Sequence, residues 1–166
     1  MKLILDTSVF IAFYTELRMG YLLTSLQKHG YAILIPEYIV RNEIKTNLDM
    51  LHKGLKRGEI KILQQIQDAD IEELRFRFPS LNRGELEVIW WGKYFKKGNE
   101  KYLCVLDDGK ARKAAQKLGI KIIGTLRIVE TLNELGIISK GERKEICEKL
   151  RNKGFRMSKD YKCDFL

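Results

Sequence analysis

Short apolar runs of strand length alternate along this chain with longer stretches in which apolar positions recur every three or four residues. KLIL before Asp6 and YAILIP from Tyr31 have the length and uniform apolarity of buried strands. Between them, Thr7 to Leu26 carries apolar residues at helical spacing, and His29-Gly30 supplies a stop. Pro36 is expected to open a second helix from about Glu37 to Met50, with Ile39, Val40, Ile44 and Leu48 as its apolar stripe and Glu43 on its surface. GEIKILQQI predicts a third strand, followed by a charged helical segment that ends near Pro79. Asn82 and Glu85 have the spacing of a capping box ahead of a helix through Phe95. YLCVL from Tyr102 is a further buried strand that runs into Asp107 and Asp108. Gly109 to Leu118 then reads as a helix, KIIG as a short strand, and Thr125 to Leu135 as a helix closed by Gly136.

This alternation predicts an α/β protein of three layers, α/β/α, with a central, mainly parallel, twisted sheet of Rossmann-like type. Residues 1–138 are expected to form this domain. Residues 139–166, including the amphipathic GERKEICEKLRNKGFRMS stretch, are expected to form a basic helical extension packed on it. A length of 166 residues with 45% hydrophobic content suffices for one core, and only 2 prolines and no Gly/Ser-rich linker interrupt it.

Composition narrows the partners. Lys and Arg number 31 against 22 Asp and Glu, so a net charge of +9 favours a polyanion. The excess is uneven: residues 92–127 carry ten Lys/Arg and three acids, two of them Asp107 and Asp108. The opening MKLILDTSVF does not have the pattern of a secretory leader, and no run approaches a membrane span, so a cytoplasmic protein with no membrane partner is expected. Cys104, Cys147 and Cys163 are far apart and show no zinc or disulfide spacing. His29 and His52, the only histidines, fall in expected loops or helix ends and read as solvated.

The chemistry lies in the acids. Right-handed βαβ connections bring all strand C-termini to one edge of a parallel sheet, where Asp6 and the Asp107/Asp108 pair would meet. Glu43, two turns into its helix, and Glu85, in the first turn of its own, can lean toward the same crevice. Carboxylates so crowded repel unless cations neutralise them, and an oxygen-only set suits Mg²⁺ or Mn²⁺. Each acid also has a structural reading: Asp6 and Asp108 as helix N-caps, Glu85 as the partner of Asn82 in the capping box, Glu43 as a solvated helix residue. Arg83, Lys110 and Arg112, close in sequence to these acids, are candidates to hold phosphates, and Arg112 has an equal claim to pair within its own helix.

LILDTSVFI, PEYIVRNEI, LNRGELEVIW and VLDDGKARKAAQKLGIKIIGTLRIV together resemble a PIN-domain protein over roughly residues 2–136. The resemblance implies the PIN fold and places the family's acids at Asp6, Glu43, Glu85 and Asp107 or Asp108. Ser8 stands where many relatives have a small polar residue that positions the first Asp or a metal-bound water. The Gly84-Glu85 pair, the double Asp and Gly124-Thr125 resemble a VapC-like prokaryotic subgroup, although the commoner toxin pattern has Thr-x-Asp where this chain has LDD. The implied activity is endoribonuclease hydrolysis of RNA with bound Mg²⁺ or Mn²⁺, with an antitoxin protein and a second copy of the chain as expected partners.

Three rivals compete with that reading. An aspartyl-phosphate enzyme would carry a second Asp where Ser8 stands. A response-regulator-like module would place a Lys at the end of its last strand, where this chain has KIIG. A catalytically inactive nucleic-acid-binding or protein-interaction domain on the same fold is the strongest alternative.

Overall fold

The computed structural model describes residues 1–155. Five strands, β1 (Lys2–Leu5), β2 (Ala32–Pro36), β3 (Ile60–Leu63), β4 (Tyr102–Val105) and β5 (Ile122–Ile123), form one sheet in the order β3-β2-β1-β4-β5. Every pairing is parallel, as the alternating apolar runs require. Helices flank the sheet: α1 (Thr7–Phe10), α2 (Gly20–Ser25), α3 (Leu48–Lys56), α4 (Asp68–Arg77), α5 (Arg83–Lys97), α6 (Gly109–Lys117), α7 (Thr125–Glu134) and α8 (Lys140–Asn152). The fold is the expected three-layer α/β/α sandwich.

Strand order decides where a site can form. From β1 the chain moves outward through β2 to β3, then returns to lay β4 on the other side of β1. A crevice opens where the direction reverses, beyond the C-terminal ends of two neighbouring strands. Those strands are β1 and β4, with Leu5 opposite Val105. The residues that follow them are Asp6 and Leu106-Asp107-Asp108. Burial fixes the strands in place: Leu3, Ile4, Leu5, Ile33, Ile35, Cys104 and Val105 lie in the core, where each large aliphatic side chain contributes about 1.5–3 kcal/mol. The Cys104 thiol is buried, donates to the Val88 carbonyl at 3.4 Å, and is pushed well above its ordinary pKa by that burial. It is an inert core residue.

Two predicted helices are each two pieces. The first begins as α1, widens to π geometry over Ile11–Glu16, breaks at Arg18 with φ 57, and resumes as α2 before a 3-10 turn, Leu26–His29. Gly30, at φ 80, ends it as expected. The second, predicted from Glu37 to Met50, stops at Glu43 after a π turn, Ile39–Glu43. Ile44 turns extended to bury its side chain, Asn47 takes a left-handed conformation at φ 56, and α3 starts at Leu48. Leu48 is therefore exposed rather than part of the apolar stripe. Pro36 is the last residue of β2, beside Leu63, not the first of a helix.

Ser139 caps α8 through a reciprocal capping box with Glu142, and Ile146, Cys147 and Leu150 bury its apolar face, with α7 among the elements it contacts. The part of the expected extension from residue 156, with Cys163, lies outside the described residues. No helix among the described residues is long and apolar enough to cross a membrane.

Candidate active site

Asp6 leaves β1 in the extended conformation of a helix N-cap, yet its side chain makes no capping bond. One carboxylate oxygen, Oδ2, accepts from the Ser8 hydroxyl at 3.1 Å. The other, Oδ1, is buried with no hydrogen-bond partner among the described residues. Burial, reinforced by the negative charges of Glu85 and Glu43, pushes the pKa of Asp6 up to about 7, against the opposing bonds from the Thr7 backbone and Ser8. A pure capping role explains none of this.

Asp107 is fixed from two sides. Its Oδ1 accepts from the Thr125 N–H at 2.8 Å and its Oδ2 from the Thr125 hydroxyl at 2.6 Å. The Ser8 hydroxyl lies 3.3 Å from the same Oδ2, so one small side chain links the acid after β1 to the acid after β4. Asp108 behaves differently: its Oδ1 caps α6, accepting from the N–H groups of Lys110 at 2.8 Å and Ala111 at 2.9 Å.

The two glutamates arrive from other helices. Glu43 ends the π turn after β2, where its Oε2 accepts from the Thr7 hydroxyl and its Oε1 accepts from the Gly84 N–H at 3.1 Å. A Cβ at position 84 would lie 2.4 Å from the Glu43 oxygen, so any larger residue there must displace that carboxylate. Glu85 closes the predicted capping box: its Oε2 accepts from the Asn82 N–H at 2.9 Å while the Asn82 side chain accepts from the Glu85 N–H at 2.8 Å. Burial raises the pKa of Glu85; Asp108 and Glu43 add to the rise, and the Asn82 bond and Lys110 oppose it.

Ser8 thus links Asp6 to Asp107, Thr7 and Gly84 hold Glu43, and mutual repulsion couples Glu85 to Asp6, Glu43 and Asp108. These acids are neighbours, not a closed shell: among the described residues, no three His, Cys, Asp or Glu side chains form a ready-made metal site. Lys110 is exposed beside Glu85, whose charge it eases. Arg112 is half-buried and donates to the Leu106 carbonyl at 2.9 Å, a bond outside its own helix.

Arg83 is the exception among the predicted phosphate contacts. Its guanidinium is almost wholly buried, bonded to Glu87 at 2.9 Å, to Asp68 and to the Ile66 carbonyl, over the Tyr38 ring. Each of its three nitrogens is thus bonded within the protein, and its burial favours a structural role over contact with a substrate. It anchors α5 to Ile66 and to Asp68, the first residue of α4.

Residues 2–166 match the family model described as the PIN domain. The chain belongs to the PIN-domain family. A comparison with curated proteins returned no match. PIN domains are generally nucleases and typically use divalent metals, so the crevice of this PIN domain is where nucleic-acid chemistry is to be sought.

Sequence reasoning overlooked several residues of the crevice. Thr7 and Thr125 stood inside quoted motifs without an assigned role, yet they hold Glu43 and Asp107. A threonine directly after a strand-end Asp, or opening a helix after a strand-end Gly, was the available signal. Glu87, fully buried against Arg83, has none in sequence, because a helical Glu normally faces water.

Proposed function

We propose that this PIN domain is an endoribonuclease that hydrolyses RNA phosphodiester bonds with Mg²⁺ or Mn²⁺. The observation that carries the reading is the Asp6/Asp107 pair joined through Ser8 at the β1/β4 crevice, with Asp6 Oδ1 buried and unpartnered. A buried carboxylate oxygen without a donor is costly unless a cation satisfies it, and the all-oxygen donor set fits a hard divalent ion. When bound, such an ion supplies Lewis-acid polarisation of the phosphate and an activated water at neutral pH.

The chain's own residues divide the work around it. Asp6 and Asp107 are the principal ligands, and Asp108 chiefly caps α6, since one of its oxygens already accepts two backbone N–H groups. Ser8 keeps the two ligands in register. Glu43 and Glu85, each held by a backbone N–H, complete the shell or orient water. Lys110 and Arg112, at the start of α6, bind the phosphate backbone. Within the described part of the expected extension, residues 139–155, α8 packs on the same domain.

The Gly84-Glu85 pair, the double Asp and Gly124-Thr125 support a VapC-like assignment, and with it a toxin role, an antitoxin partner and a homodimer. A second reading, a nucleic-acid- or protein-binding domain without turnover, draws on the separation of the carboxylates. Incubating purified protein with a fluorescently labelled single-stranded RNA separates the two. Cleavage in Mn²⁺ that stops with chelator and falls at least a hundredfold in Asp6→Asn supports the nuclease; cleavage unaffected by either change overturns it.

A further inference from the structure

The outward side of α5 carries a second feature that the crevice does not use. Trp90 and Tyr94, one turn apart, stack nearly parallel, with centroids 5.7 Å apart and planes 12° from coplanar. Trp91 meets both rings edge-on, at 81° and 74°, and Phe95 meets Tyr94 at 76°, so the stacked pair is braced from beneath. Tyr94 is nevertheless 53% exposed. An aromatic stack held this firmly with an open outer face is a platform for another flat ring.

Charge selects what that ring belongs to. On α5 the stack has Lys93 and Lys97 beside it, while Lys96 turns away to donate to the Leu118 carbonyl, and the one acid between Trp90 and Leu106, Glu100, is already paired with Lys2. A second copy docking here about a twofold axis would set these lysines against themselves. A polyanion with accessible bases fits both parts, and single-stranded RNA offers its bases where a duplex conceals them.

The platform and the crevice share one helix. Glu85 lies in the first turn of α5, on its inward side; at helical pitch Tyr94 lies about 14 Å further along the axis and about 180° round, with Trp90 about 140° and Lys93 about 80° round. Lys93 therefore lies between the two faces, a stepping stone for the phosphates of a strand that crosses the helix.

We infer that the stacked Trp90/Tyr94 pair with Lys93 and Lys97 is a single-stranded RNA-binding platform outside the catalytic crevice. The choice of RNA rests on the nuclease reading, but binding here requires neither metal nor turnover. The test is fluorescence anisotropy of a labelled, unstructured 12-nucleotide RNA titrated with protein in chelator, so that cleavage plays no part. Tyr94→Ala and Trp90→Leu should each weaken binding roughly ten- to a hundredfold, and Tyr94→Phe should retain it, because the ring face and not the hydroxyl is used. Lys93→Gln should flatten the salt dependence of binding. Thermal melting of each variant, and of Tyr94→Phe as the minimal change, separates lost binding from lost folding. Wild-type affinity in Tyr94→Ala would overturn the platform. So would sedimentation showing that Tyr94→Ala turns a dimer into a monomer with RNA affinity intact, which would make this face a self-interface. RNA binding through this face by a protein that cleaves nothing in Mn²⁺ would leave the platform standing and overturn only the nuclease reading.

Discussion

Asp6 is under tension that its surroundings create. A carboxyl whose folded pKa is about 7, against an ordinary value of 3.8, binds more protons folded than unfolded between those pH values. It therefore costs the metal-free protein nothing below about pH 4, and the cost grows as pH rises until it is complete above about pH 7. Asp6→Asn removes that cost on the order of a few kcal/mol at pH 8 in chelator, and the gain shrinks toward pH 4. Thermal melts across pH check this; a variant less stable than wild type at pH 8 would contradict it. Thr125 acts in the opposite sense. Its buried hydroxyl donates to the charged Asp107, so Thr125→Val should cost about 1.5–3 kcal/mol in urea denaturation and slow any cleavage at least tenfold.

At the scale of elements, α5 is the part on which the crevice most depends. Its first turn delivers Glu85 and the Gly84 N–H, and its second is pinned by the Arg83–Glu87 pair. Gly84→Ala should improve helix propensity by up to about 1 kcal/mol while its methyl displaces the Glu43 carboxylate. Near-native melting with cleavage reduced at least tenfold is the expected combination, measured on one preparation. Arg83→Met leaves Glu87 buried without its cation and should cost about 3–5 kcal/mol in urea. That element was legible from sequence at its start, because a capping box is a local pattern, and illegible in its second turn, because the buried Arg83–Glu87 pair is tied to Ile66 and Asp68, which no spacing within α5 reveals. The π turn that ends at Glu43 was hidden for a related reason. The 3.6-residue period ran on through Ile44 and Leu48, and only the burial of Ile44 against the rest of the fold breaks the helix there.

For the whole molecule, the parallel sheet and its crevice followed from alternation of strand and helix, since one handedness of crossover aligns every strand end. The meeting of Asp6 and Asp107 at one edge of the sheet was thus within reach of the sequence. The cap formed by Asp108 was also legible, from its place between a strand and a helix, but the link from Asp6 to Asp107 through Ser8 depends on side-chain geometry that no period encodes. A sheet edge lined with acids within a chain of net charge +9 suits a cation in the crevice and a polyanion across the surface. Calorimetric titration of Mn²⁺ into wild type and Asp6→Asn at pH 7, in two buffers of different ionisation enthalpy, tests the central claim directly. Wild type should bind and release a fraction of a proton as Asp6 ionises, with binding at least a hundredfold weaker in the variant; equal affinity in the two proteins would contradict the site.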